Sequence, residues 1–202
     1  MASSLVPEAD RRLLLALLRT DIAVSGRALA RMTGLSQPSA QRALVRLRDA
    51  GLVLTESAPP ALLYRANRDH LALPAITELL HLNDRLRQQL AKKVTRWAIQ
   101  PVSVVLYGSV AREEAGLESD VDLLVVRPDA VPPDDALWSE QLSSLSESLS
   151  RWTGRRASVV ELSEAEAIRG LRRAESFVVA AADEGIGISG EALRALQGRR
   201  KR

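Results

Sequence analysis

Two short apolar runs in the second half of the chain restrict its fold more than any other feature. They are Val102-Ser-Val-Val-Leu-Tyr107 and Val121-Asp-Leu-Leu-Val-Val126. Both are rich in valine, both are too short for a buried helix, and turn-forming residues bound them, so both read as buried strands. Between them, Gly108 to Glu114 reads as a turn into a short helix. Pro132-Pro133 opens a loop before a helix over about Asp135 to Trp152, and Ala157 to Leu162 reads as a third strand. Helices over Glu164 to Asp183 and Gly190 to Leu196 follow. Strands and helices in this order predict an α/β or α+β domain beginning at Pro101.

The first half has a different rhythm. Asp10 to Arg19 carries Leu13, Leu14, Leu17 and Leu18 at helical spacing, and a short helix fits Arg27 to Met32. Ser36 is placed to cap a third helix with Pro38 in its first turn. Ala40, Ala43, Leu44 and Leu47 give that helix one apolar face, and Gly51 closes it. Two β-prone runs, Leu52 to Thr55 and Leu62 to Ala66, then flank the turn residues Ser57-Ala58-Pro59-Pro60. Three helices and a hairpin predict a winged helix-turn-helix. From Pro74 to about Ile99 an apolar stripe predicts one long helix, about 37 Å at 1.5 Å per residue, suited to a spacer or a dimerisation helix. The fold expected is therefore α+β: residues 1–72 a winged helix-turn-helix, 73–99 a linker helix, 100–198 a mixed sheet with flanking helices, and 199–202 a basic tail.

Charge divides the chain at the same place. Residues 1–100 hold 15 Lys and Arg against 8 Asp and Glu, whereas residues 101–202 hold 13 against 17. A basic half joined to an acidic half predicts two domains with different partners. With 46% apolar residues a true core is expected. The absence of cysteine excludes a disulfide scaffold and thiolate metal sites and fits a cytoplasmic protein. No apolar run reaches the ~20 residues of a membrane span, so no membrane partner is expected.

The chemistry is concentrated in Leu106-Tyr-Gly-Ser-Val-Ala-Arg112 and Ser119-Asp-Val-Asp-Leu-Leu-Val125. Gly108 ends a strand and opens a helix, where free backbone amides favour a phosphate, and Ser109 adds a hydroxyl. Arg112 lies one turn further on, and Ser119 immediately precedes the first acid. Gly108, Ser109, Arg112 and Ser119 are the phosphate-binding candidates. Asp120 and Asp122 are two apart on an expected strand, so both point to one face with Cα atoms roughly 6–7 Å apart. Two hard carboxylates beside a phosphate cradle suit Mg2+, or Mn2+, held together with substrate phosphates.

This compound motif resembles the signature of the polymerase-β nucleotidyltransferase superfamily, Gly-Ser followed by Asp-x-Asp, and is closest to the minimal nucleotidyltransferases. The resemblance covers about residues 100–190. It implies that Gly108 and Ser109 hold the triphosphate and that Asp120 and Asp122 bind metal and are catalytic. It also implies a third carboxylate on a neighbouring strand. The place where that acid is expected falls closest to Ser158, while Glu161, the only acid of the strand, has the opposite parity. Glu161 is the candidate third catalytic and metal ligand. Glu113 and Glu114 depart from the small residue some members carry after Ala-Arg.

Residues 8–70 resemble the MarR- and ArsR-like winged-helix regulators, through Gly26 to Ser36, Gln37 to Gly51 and the hairpin. The resemblance implies a helix placed in the major groove of duplex DNA and a dimer over two half-sites. Gln37, Ser39, Gln41 and Arg42 are candidates for base or phosphate contacts, and Arg46 and Arg65 for phosphate contacts. The function expected is a metal-dependent nucleotidyltransferase acting on a protein or nucleic-acid hydroxyl and fused to a DNA-binding domain. Two alternatives stay open: a transcriptional regulator whose nucleotidyltransferase fold only senses nucleotide, and an antitoxin-like enzyme that modifies a partner protein. His70 and His81 read as surface residues, and Trp97, Trp138 and Trp152 as core.

Overall fold

A computed structural model describes residues 6–111 and 119–198 of the chain. The described residues form two compact units, one ending at Leu82 and the other beginning at Asn83.

The N-terminal unit begins with α1 (Glu8–Leu18), followed by β1 (Val24–Ser25), α2 (Gly26–Thr33) and α3 (Gln37–Asp49). A hairpin of β2 (Val53–Ala58) and β3 (Ala61–Ala66) comes next, then α4 (Leu73–Leu80). Serines start the second and third helices. The Ser25 hydroxyl accepts from Ala28 N at 3.3 Å and the Ser36 hydroxyl from Ser39 N at 3.3 Å, each satisfying an amide that the helix leaves open. Gly34, at φ 68°, ends α2 in the left-handed conformation that glycine adopts without steric cost. The expected apolar face of α3, Ala40, Ala43, Leu44 and Leu47, is buried against Leu13, Leu14 and Leu17 of α1. Pairing runs from Val53–Ala66 to Ala58–Ala61, and β1 joins on the other side of β3, giving the order β1-β3-β2.

The single helix expected over Pro74 to Ile99 is instead two. α4 ends at Leu80, and α5 (Leu82–Val94) begins after His81. Thr77 donates its hydroxyl to the Leu73 carbonyl at 2.8 Å, a back-bond that competes with the helical ladder just before the break.

In the C-terminal unit, α5 leads to β4 (Ser103–Tyr107), the short α6 (Gly108–Ala111) and β5 (Val121–Arg127). Then come α7 (Ala136–Thr153), β6 (Ala157–Ser163), α8 (Glu164–Arg172), α9 (Ser176–Asp183), β7 (Ile186–Gly190) and α10 (Leu193–Leu196). The sheet order is β6-β5-β4-β7. β5 and β6 are parallel and the other pairs antiparallel, so the sheet is mixed, as expected. Alternate residues face opposite ways. Val121, Leu123 and Val125 pack with Leu90, Trp138 and Leu149 of α5 and α7, while Leu124 and Val126 pack with Ala167, Ala181 and Leu193 of α8, α9 and α10. β5 is thus covered on both faces.

Two expectations fail here. The helix predicted over Glu164 to Asp183 is broken at Ala174, whose φ of 53° reverses the chain so that α9 packs against Gly170 of α8. A strand, β7, occupies residues assigned in part to a last helix, and that helix shortens to Leu193–Leu196. Among the described residues no helix is long and apolar enough to cross a membrane.

Candidate functional site

The register of the sheet places the motif. β4 runs antiparallel to β5, so Tyr107, the last residue of β4, lies opposite Asp122, and on the other side of Asp122 lies Ser158 of β6. Cross-strand partners share a face, so Tyr107, Asp122 and Ser158 form one row across three strands. Asp120 precedes β5 by one residue, on the chain that leads into the row.

Gly108 turns the chain out of β4 at φ 72° and opens α6. Its Cα lies so close to Asp122 that a β-carbon there would collide with the Oδ2 of that carboxylate. The left-handed conformation favours glycine here, and any β-carbon would have to displace the Asp122 carboxylate. The Gly108-Ser109 turn and the Asp122 carboxylate, fourteen positions apart in sequence, therefore meet directly. Tyr107 feels the same group: burial, and then the negative charge of Asp122, push its phenol above the ordinary range.

The lead-in to β5 is held from β6. Val121 N donates to the Arg156 carbonyl at 3.0 Å, and the Arg155 guanidinium donates to the Ser119 carbonyl at 3.3 Å. Ser119 is thus partly buried beside Asp120, with its backbone fixed by a cation that sequence reasoning missed. Tyr107 was also missed as a site residue. Its signal was its place one residue before the glycine, at the end of a strand facing the Asp-x-Asp strand. Arg112 lies outside the described residues.

Glu161 is a correction. It pairs with Val125, not with Asp122, and its parity sends it to the α5 and α7 face of the sheet. There its Oε1 accepts from Arg127 Nε at 2.6 Å and from the indole Nε1 of Trp138 at 3.0 Å. The Arg127 side chain is only 8% exposed and donates also to the Val131 carbonyl. Glu161 is the counter-ion of a nearly buried guanidinium, and the third position of the row belongs to Ser158. Among the described residues no group of three His, Cys, Asp or Glu is arranged to hold a metal. Of the oxygen donors, the Asp122 carboxylate lies against the turn that carries Ser109, Ser158 is the cross-strand neighbour of Asp122, and Asp120 stands two residues before it. That set fits one hard dication completing its shell with phosphate and water.

In the N-terminal unit, Gln37, Gln41 and Arg42 are exposed on α3, Ser39 is half-buried beside them, and Arg65 is exposed on β3. A small cavity of about 270 Å3 at the start of α3 is lined by Arg27, Gln37 and Gln41. Arg46 is exposed on α3, and its guanidinium pairs with the buried Asp10 of α1, at 2.5 and 3.3 Å, tying α3 to α1. Trp97 and Trp138 are core residues packed edge to face at 5.5 Å, whereas Trp152 is 39% exposed.

Residues 84–177 match the family model described as nucleotidyltransferase domain, a stretch that begins in α5 and ends in α9. Two solved structures are similar over 55% of this chain and 77% of theirs. One is a crystal structure of a toxin-antitoxin with AMP-PNP (17% identity, TM-score 0.35). The other is a crystal structure of a mutant of the toxin-antitoxin MntA-HpeT (15% identity, TM-score 0.34). No match was found among curated proteins.

Proposed function

We propose that the C-terminal unit binds a nucleoside triphosphate with Mg2+ or Mn2+ and transfers its nucleotidyl group to a hydroxyl of a protein or nucleic acid. The observation that carries this reading is the contact of the Asp122 carboxylate with the Gly108-Ser109 turn, which brings a metal ligand and a phosphate cradle to one point; the family match over residues 84–177 agrees with it. Gly108 leaves its backbone open to the phosphates, and Ser109 donates its hydroxyl to their oxygens. Asp120 and Asp122 hold the metal, which when bound offsets the charge of the triphosphate. Ser119, anchored through Arg155, fixes the approach of Asp120, and Arg112 is assigned to the phosphates from its place in the motif. The acceptor oxygen forms a bond to the α-phosphorus, the α–β phosphoanhydride bond breaks, and pyrophosphate leaves. With Ser158 in the third position, the acceptor proton departs to solvent.

That same Ser158 favours a second reading, in which the unit senses nucleotide and transfers slowly or not at all. Incubation of the full chain with α-labelled nucleotides and Mg2+ or Mn2+ separates the two. Label transfer that Asp120→Asn and Asp122→Asn abolish supports the enzyme. Nucleotide binding without transfer supports the sensor, and neither binding nor transfer defeats both. Whether label appears on protein or nucleic acid identifies the acceptor class.

For the N-terminal unit the reading is a winged helix-turn-helix of MarR or ArsR type that binds duplex DNA as a homodimer, in a cytoplasmic protein. It is supported by the order helix, strand, two helices and hairpin, by the exposed Gln37, Gln41 and Arg42, and by the positive balance of residues 1–100. Fluorescence anisotropy with duplex DNA over a salt series tests it: affinity falls linearly in the logarithm of salt, and Arg42→Ala or Arg65→Ala lowers the slope by about one. Binding that ignores salt would refute it.

A further inference from the structure

The face of the sheet opposite Asp122 carries a groove between α5 and α7 that no step above uses. It encloses about 530 Å3. Gln89 to Arg96 line it on one side and Leu137 to Ser144 on the other, seven residues each, about 10 Å at 1.5 Å per residue, with Trp152 two turns further along α7. The α5 wall is cationic. Lys93 donates to the Ser144 hydroxyl across the groove at 2.9 Å, while Lys92 and Arg96 are exposed and form no ion pair among the described residues. The α7 wall offers apolar surface: Leu137 is 44% and Trp152 39% exposed. Glu140 is the one acid among the described lining residues. The walls are fixed relative to each other, because the Gln141 side chain accepts from Ala98 N at 2.8 Å and Ile99 N at 3.2 Å and donates to the Ile99 carbonyl at 3.1 Å.

We infer that this groove docks an acidic amphipathic helix of a partner protein. About 10 Å is two helical turns, the contact length of a short helix, and a rigid trough between two helices is a known receptor for such a segment. Apolar side chains of the partner would cover Leu137 and Trp152, and a row of Asp or Glu along one edge would meet Lys92 and Arg96. A second copy of this chain fits poorly, because a two-fold contact sets Lys92 and Arg96 of one groove against those of the other with only Glu140 to offset them. A nucleic-acid strand fits poorly too. Glu140 also lines the groove, and residues 101–198 carry far more acid than base.

The test uses the full chain with a photoreactive phenylalanine at Leu137 or Trp152, crosslinked in cells that natively encode it and mapped by mass spectrometry. A synthetic peptide of the crosslinked segment is then measured against the purified chain by anisotropy. The expected result is one protein segment of helical periodicity with acids on one edge. Its peptide binds, K92E/R96E weakens it at least tenfold, and exchange of its acids for lysine restores binding to that variant. Three results would overturn the inference: crosslinks to nucleic acid or to a second copy, crosslinks no stronger than at exposed Glu184 on α9's far end, or peptide binding indifferent to K92E/R96E. None of these outcomes depends on nucleotidyl transfer.

Discussion

Replacement of Glu161 by glutamine tests the placement of this acid more sharply than any other change. Glutamine keeps a carbonyl oxygen for Arg127 Nε and for the Trp138 indole, so only the charge is lost. Hydrogen bonds to a charged acceptor contribute ~1.5–3 kcal/mol and neutral ones ~0.5–1.5, so Glu161→Gln should cost about 1–2 kcal/mol. Glu161→Ala strips the counter-ion and both acceptors from a guanidinium that is 8% exposed, and loss of one partner of such a pair costs ~3–5 kcal/mol. For a unit of this size, about 4 °C is expected per kcal/mol. Calorimetry should show the C-terminal transition falling by about 4–8 °C for glutamine and by more than about 10 °C for alanine. Equilibrium dialysis of Mg2+-nucleotide below those temperatures should give a Kd within about twofold of the parent for the glutamine variant. An unchanged transition together with lost nucleotide binding would make Glu161 a ligand of the site and refute its assignment to the opposite face.

Gly108→Ala should lose nucleotide affinity at least tenfold and cost ~1–2 kcal/mol from the left-handed backbone alone, before the collision with Asp122 is counted; dialysis and thermal melts check both. Ser158→Asp sets a third carboxylate beside Asp122, and Mn2+ affinity and label transfer should each rise about tenfold; a variant that folds and shows neither would remove Ser158 from the row's function. The Tyr107 phenol sits high because of burial and then Asp122. In a Tyr64→Phe background, absorbance titration should therefore show its ionisation moving down on Asp122→Asn. Since the folded value is raised, the associated stability is full below about pH 10 and is lost as pH rises through the folded value. Arg46→Ala removes the guanidinium partner of Asp10 and should lower the urea midpoint of the N-terminal transition; an unchanged midpoint would refute the tie.

Much of this was legible in the sequence because local chemistry and tertiary structure agree there. Ser36 and Pro38 start α3 where they should, its apolar face is the buried one, and the runs ending at Tyr107 and Val126 are the central strands. The failures lie where local signals are silent. Nothing in Leu79-Leu80-His81-Leu82 punctuates a helix, yet one ends there. Ala174 takes a left-handed turn usually given to glycine, so the break between α8 and α9 carried no marker. β7, with glycine at 187 and 190, has little strand propensity of its own and is held by pairing with β4. Glu161 was separable from Asp122 by parity alone, but only the register with Val125 and the waiting Arg127 show where it goes.

The tie between Arg46 and Asp10 has a consequence for timing. A helix fixed only by apolar contacts keeps some freedom to roll about its axis, because greasy surfaces slide at small cost. A two-pronged ionic contact at a buried carboxylate removes that freedom. Gln37, Gln41 and Arg42 are therefore aimed when the unit folds, and the entropy of aiming them is lost at that stage and not during an encounter. Whatever meets this face meets a stiff template, and the association should be fast and little affected by induced rearrangement.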